Sequence, residues 1–162
     1  MPSFALLDPA QHDRAGFVCG EPSLDKYLRE QAMQHHREGI STTHVLVDDS
    51  APESIIGYYT LAAAQMLLSE LHPADQKRLP RYPVPAVRMA RLAVALTEQG
   101  RGHGARLLAH AVVRCLELRE HLGVRVMLVD AIHEQAAAFY RSYGFRLAAS
   151  SGRTLYLPLG RT

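Results

Sequence analysis

The strongest chemical signal in the chain is the run Gln99-Gly-Arg-Gly-His-Gly104. Glycines at alternate positions let consecutive backbone amides turn inward with no Cβ in the way, and such a concavity binds anions. An apolar helical pattern follows, so the amides at the helix start add a partial positive charge at the same spot. The combination suits a pyrophosphate, with Arg101 and His103 positioned to add side-chain contacts. The same spacing also serves a tight turn that needs positive φ and binds nothing. Gly100-x-Gly102-x-x-Ala105 fits the dinucleotide fingerprint as well, with Asp130 closing the next strand as a ribose-binding acid would. Against that alternative, Asp130 lies beyond the usual spacing of about 20 residues, and the strands before the motif read as antiparallel.

A turn of this kind must be held between a strand and a helix, and the flanking residues predict both. Val87 to Leu96 reads as a buried strand. From Gly102 to His121, Leu107, Leu108, Ala111, Val112, Cys115 and Leu116 keep one apolar stripe until Gly123 ends the helix. Val124 to Asp130 is a short apolar strand, so the three elements form one β-α-β crossover. Upstream, Ser23 is expected to cap a helix reaching Glu38, with Leu24, Tyr27, Leu28 and Ala32 at helical spacing. Thr43 to Val47 and Ile55 to Leu61 read as antiparallel strands around a turn at 48–52. Leu71 to Pro85 is rich in proline and cations and reads as a surface excursion or short helix. A second helix spans His133 to Tyr143, and Phe145 to Leu147 and Thr154 to Leu159 supply the last strands.

Bulk composition bounds the rest. At 162 residues and 48% apolar content, the chain builds one core and reads as a single domain, 1–162. A formal net charge of +2 forces no nucleic-acid or membrane partner, so any basic surface must be local. Cys19 and Cys115 lie far apart without metal or redox spacing, which fits a reducing cytoplasm. No window has the uninterrupted apolar length of a membrane span, and the N-terminus lacks a secretory pattern, so a soluble cytoplasmic protein is expected. The nine histidines assemble no recognisable ligand spacing, and no metal is expected. Arg114, Glu117 and Glu120 read as the solvated side of the long helix.

Arg91-Leu-Ala-Val94 followed by Gln99-x-x-Gly102-x-Gly104, then Phe139-Tyr140-x-x-x-Gly144-Phe145, resembles the acetyl-CoA signature of the GNAT superfamily of N-acetyltransferases. The likeness extends through Phe17-x-Cys-Gly20, Leu24-Asp-x-Tyr-Leu28, Gly57-Tyr-Tyr-Thr-Leu61 and Leu79-Pro-Arg-Tyr-Pro-Val-Pro85 to the GNAT-type toxins of bacterial type II toxin-antitoxin pairs. The resemblance implies an α/β GNAT fold: a central mixed, mostly antiparallel twisted sheet flanked by helices, with one β-α-β acetyl-CoA-binding crossover. It implies acetylation of the α-amine of aminoacyl-tRNA, inhibition of translation, neutralisation by a ribbon-helix-helix antitoxin, and a homodimer.

By the same resemblance, Leu92, Ala93 and Val94 would offer backbone hydrogen bonds to the pantetheine arm of acetyl-CoA. Gln99, Gly100, Arg101, Gly102, His103, Gly104 and Ala105 would cradle its pyrophosphate. His133 stands where the superfamily often has asparagine and is a further cofactor candidate. Acetyl transfer from a thioester to an amine needs a neutral amine, a stabilised oxyanion and a proton for the departing thiolate. A backbone amide of Leu92 to Val94 could serve the oxyanion if that strand splays from its neighbour, and Tyr140 would be the general acid. Without the upstream motif, an aromatic in Phe-Tyr-x-x-Tyr-Gly-Phe reads as core packing.

For an RNA substrate the candidate cations are Arg29, Arg37, Lys77, Arg78, Arg81, Arg88 and Arg91, with Arg78, Arg81 and Arg91 foremost because they flank the cofactor strand. A solvated surface role is the plain alternative for each. Two other readings stay open: the same acetyl-CoA site serving a protein or small-molecule amine, and a non-catalytic acetyl-CoA-binding regulatory module in which Tyr140 only packs.

Overall fold

A hairpin of β-branched and aromatic residues begins the architecture. β2, Thr42–Asp48, and β3, Ala51–Met66, pair antiparallel from Thr42↔Leu61 to Val47↔Ile55, with a bulge where Leu46 meets Val47. The turn is tighter than the expected 48–52, because the Asp48 carboxylate accepts from the Ser50 amide at 2.9 Å and hydroxyl at 2.7 Å. β1, Pro2–Leu6, runs antiparallel along β2 from Pro2↔Asp48 to Leu6↔His44. This strand has no clear alternation of its own and was not expected; its pairing with β2 creates it. The remaining strands are β4, Val84–Val94, β5, Val126–Asp130, β6, Arg146–Leu147, and β7, Thr154–Pro158. The seven-stranded sheet has the order β1-β2-β3-β4-β5-β7-β6. Only β4 and β5 pair in parallel among the assigned registers, as the expected mixed, mostly antiparallel sheet requires.

The computed structural model describes residues 1–150 and 152–160. The chain divides into two compact units, Met1–Ala62 with Arg91–Ala111, and Ala63–Ala90 with Val112–Thr162.

In the first unit, the expected helix from Ser23 to Glu38 is two helices. Helix α1, Pro22–Glu30, opens with proline at its first turn, where a missing N–H costs nothing. Glu21, rather than Ser23, stands at its N-cap, and Gln31 leaves helical geometry (φ −122°, ψ −30°) before α2, Ala32–Arg37. The buried face of α1, Leu24, Tyr27 and Leu28, joins Phe17, Val45, Val47, Ile55, Tyr58 and Ala93 in one apolar cluster. The Tyr58 hydroxyl donates to the Leu24 carbonyl at 2.6 Å, so this fully buried phenol keeps a partner.

In the second unit, Met66, Leu71, Val84, Ala86, Val126, Leu128, Ala148 and Tyr156 form the core. The proline-rich excursion contains the short helix α3, Pro73–Gln76, and is tied down by polar contacts. The Tyr156 hydroxyl donates to Asp75 at 2.6 Å and accepts from the His72 amide at 2.8 Å, while Arg146 reaches the same carboxylate at 2.8 Å. Helix α5, Glu134–Ser142, precedes β6.

Helix α4, His103–Leu118, connects β4 to β5 and completes the β-α-β crossover. Leu107, Leu108, Ala111 and Cys115 of its expected stripe are buried, whereas Val112 is half-buried and Leu116 exposed. No helix of the described residues is long and apolar enough to cross a membrane.

Candidate active site

The glycine turn is built by backbone geometry that only glycine adopts cheaply. Gly100 and Gly102 both have φ of 81°, and a Cβ built on either would meet open space. The conformation, not crowding, demands glycine at both positions. Both readings weighed for this turn needed positive φ, so the dihedrals do not separate them; the turn leads directly into α4, whose first amides have no intrahelical acceptor. The turn is braced rather than free. The Gln99 carboxamide donates to the Cys19 carbonyl at 2.9 Å and to the Val94 carbonyl at 3.0 Å, so its nitrogen is committed to protein. Gly104 and Ala105 lie in the first turn of α4, and the Arg106 amide bonds the Gly102 carbonyl at 3.2 Å.

Two side chains of the run differ sharply in exposure. Arg101 reaches into solvent, whereas His103 is buried and its Nδ1 has no hydrogen-bond partner. Both approach one carboxylate: Glu98 lies 3.2 Å from Arg101 Nη1 and 3.7 Å from His103 Nε2. Glu98 belongs to no motif, and nothing in the sequence marks it beyond its place beside Gln99.

Leu92, Ala93 and Val94 end β4. The parallel ladder with β5 runs from Ala86↔Val126 to Met89↔Val129, and β4 then continues to Val94. The three residues therefore lie past the last β5 pair. Ala93 is packed tightly from the other direction: a Cβ on Gly57 would come within 2.7 Å of the Ala93 carbonyl and 2.7 Å of Leu107. Gly57 thus lets β3 approach the end of β4 at a distance no other residue permits. After Val94, Ala95 bonds Ile56 at 2.8 Å and Leu96 bonds Val18 at 2.9 Å, fixing the approach to the turn.

In the second unit, Tyr140 lies on α5 and is 7% exposed. Its ring packs against Phe139 and Phe145, with centroids 5.3 and 5.5 Å away. Burial raises the phenol's pKa above its ordinary range, and the Asp130 carboxylate adds to the rise, so the hydroxyl keeps its proton. Asp130 is itself held by the Arg88 guanidinium and by the Thr154 hydroxyl at 2.9 Å. His133 caps α5: its Nδ1 accepts from the Ala136 amide at 3.1 Å. An asparagine side chain could offer an acceptor to the same amide, so histidine at this position serves as a helix cap.

The candidate RNA-binding cations divide into two groups. Arg29, Arg37, Lys77, Arg78 and Arg81 are exposed, and Arg78 is held at φ 66°. Arg88 is engaged with Asp130, and Arg91 lies over the Tyr27 ring. Sequence position made Arg91 a foremost candidate; the residue is half-buried, with its guanidinium over the Tyr27 ring.

Comparison with known proteins agrees with this geometry. The acetyltransferase (GNAT) domain family matches residues 39–147. A curated tRNA-acetylating toxin of Mycobacterium tuberculosis is 37% identical over 145 residues, covering 90% of this chain and 85% of the relative. The solved structure of AtaT complexed with acetyl-methionyl-tRNAfMet superposes with a TM-score of 0.90 at 30% identity, covering 98% of this chain and 95% of that one. A tyrosine-to-phenylalanine mutant of AtaT, bound to acetyl-CoA and the C-terminus of the antitoxin AtaR, superposes at 0.82 with 28% identity, covering 97% and 92%. The β-α-β crossover, the open glycine turn before α4 and the family match over residues 39–147 lead to one assignment: the chain belongs to the GNAT acetyltransferase family.

Proposed function

We propose that this protein is a toxin of a toxin-antitoxin pair that moves the acetyl group of acetyl-CoA onto the α-amine of aminoacyl-tRNA and so stops translation. The observation that carries the reading is the 37% identity, over nine-tenths of the chain, to a tRNA-acetylating toxin. The likeness to AtaT bound to acetyl-methionyl-tRNAfMet supports the same acceptor. We further infer that residues 1–162 act as one GNAT domain, that a ribbon-helix-helix antitoxin neutralises it, and that it works as a cytoplasmic homodimer. The buried, unpaired thiols of Cys19 and Cys115 fit a reducing compartment.

Acetyl-CoA supplies an activated thioester carbonyl. In the proposed assignment, the backbone amides of 99–105 bind its pyrophosphate, aided by the start of α4. Leu92, Ala93 and Val94, past the last β5 pair, offer main-chain groups to the pantetheine arm and an amide to the oxyanion. The α-amine nitrogen attacks the thioester carbon, the new C–N bond forms and the C–S bond breaks. The nitrogen loses its extra proton to water, and Tyr140 gives its hydroxyl proton to the departing sulfur. A phenol whose ionisation is pushed upward is protonated throughout the working pH range, as a general acid must be.

The test is incubation of purified protein with radiolabelled acetyl-CoA and charged total tRNA, followed by alkaline release and identification of acetylated amino acids. Label on released amino acids, abolished by Tyr140→Phe, is the expected result. Acetyl-CoA binding without such label would redirect the site to a protein or small-molecule amine; binding with no transfer to any amine would make it a regulatory module.

A further inference from the structure

We propose that Glu98 sets the affinity of the phosphate turn, weakening its hold on acetyl-CoA and on the CoA product by competing for Arg101 and His103. This rests on the assignment of the turn to the acetyl-CoA pyrophosphate.

The geometry places one carboxylate among the groups that face an anion. Glu98 is the last residue of a short 3-10 helix, Leu96–Glu98, immediately before the turn. Its Oε2 meets Arg101 Nη1 at 3.2 Å and approaches His103 Nε2 at 3.7 Å. These are the two side chains of the run able to contact a phosphate. The backbone holds Glu98 in place, since its amide bonds the Ala95 carbonyl at 2.9 Å and the next residue is pinned by the Gln99 carboxamide. The Glu98 side chain is 29% exposed and that of His103 8%, so this contact is only partly screened by water. The Arg101 side chain is 65% exposed, and its pairing is weakened by solvent and salt. The His103 ring is buried, which holds it beside the turn, and its Nδ1 has no hydrogen-bond partner among the described residues.

A carboxylate here acts on a bound pyrophosphate in two ways. It repels the phosphate charge directly, and it engages a guanidinium that would otherwise pair with that charge. Both effects weaken binding. Acetyl-CoA and CoA carry the same pyrophosphate, so Glu98 loosens substrate and product alike and eases product release. It acts as a positioning residue and takes no part in acetyl transfer.

The test measures binding of acetyl-CoA, CoA and inorganic pyrophosphate to the full-length protein by calorimetry. Glu98→Gln and Glu98→Ala remove the charge, Glu98→Asp keeps it, and Glu120→Gln controls for overall charge at an exposed site. The expected result is acetyl-CoA and CoA binding about fivefold tighter in both neutral variants at low salt. The gain should shrink as salt rises, and CoA product inhibition should strengthen in parallel. Glu98→Asp and Glu120→Gln should stay near wild type. Unchanged or weaker binding in the neutral variants, at wild-type unfolding temperature, would overturn the proposal. Failure of the wild-type protein to bind acetyl-CoA would overturn the cofactor assignment, and this proposal with it.

Discussion

The Arg91 guanidinium carbon lies 3.5 Å from the centre of the Tyr27 ring, whose hydroxyl is hydrogen-bonded to Ser41 at 2.9 Å and His35 at 3.0 Å. Tyr27 is 2% exposed, so the cation rests on an aromatic face that is otherwise sealed in the core. β4, α1, α2 and Ser41, the residue before β2, thereby meet at one polar-aromatic node.

Arg91→Ala is therefore expected to lower stability by about 1 kcal/mol, combining the lost cation-π contact with lost packing of the aliphatic stem. Urea denaturation checks this. Arg91→Lys should recover only part of the loss, because an ammonium lacks the planar stacking surface. Equal stability of Arg91→Ala and wild type would show that the stacking carries no energy.

Arg81 and Lys77 are exposed, and their charge reversals should behave in the opposite way. Arg81→Glu and Lys77→Glu should leave unfolding within about 0.5 kcal/mol of wild type. If they touch tRNA phosphates, each should weaken tRNA binding and flatten its log-log salt slope by roughly one unit. Filter binding across a salt series measures both quantities, and an unaltered slope would remove that residue from the interface.

Tyr140→Phe should lower turnover by roughly 10²-fold or more while leaving acetyl-CoA affinity within about twofold, because the hydroxyl acts on the leaving group in the transition state. The sign of the pH dependence follows from the raised pKa. An acid that ionises above its ordinary value of about 10 produces no alkaline fall in turnover below that pH. A fall near pH 8 that Tyr140→Phe abolishes would contradict the raised value.

Gly57→Ala places a methyl group within 2.7 Å of the Ala93 carbonyl oxygen. The backbone cannot yield as a flexible side chain would, so a loss of about 2–3 kcal/mol is expected from overpacking. The strand displaced is the one ending in Leu92, Ala93 and Val94, so acetyl-CoA affinity should fall as well. Thermal unfolding and calorimetry test the two effects separately.

The legible parts of this fold share a local cause. Positive φ at Gly100 and Gly102, the apolar stripe of α4 and the short strand β5 are dictated by residues within a few positions of one another. A motif such as Gln99 to Gly104 can therefore be recognised without knowing the rest of the molecule. The errors also share a cause. Strand β1 has no strong pattern until β2 lies beside it, and the break at Gln31 shows no glycine or proline.

The sequence by itself determined the glycine turn and the helix that carries Tyr140, because strand, turn and helix periodicities are written in neighbouring residues. The GNAT expectation came from the resemblance of the motifs at 91–94, 99–104 and 139–145, and the family match over residues 39–147 agrees with it. Only tertiary structure decided the work of individual side chains. Arg91 packs on Tyr27, Arg88 engages Asp130, Gln99 braces the Cys19 carbonyl, and Gly57 admits the Ala93 carbonyl. Each joins residues more than 30 positions apart, and a contact at that separation depends on how distant elements pack, which no local pattern of propensity or spacing encodes.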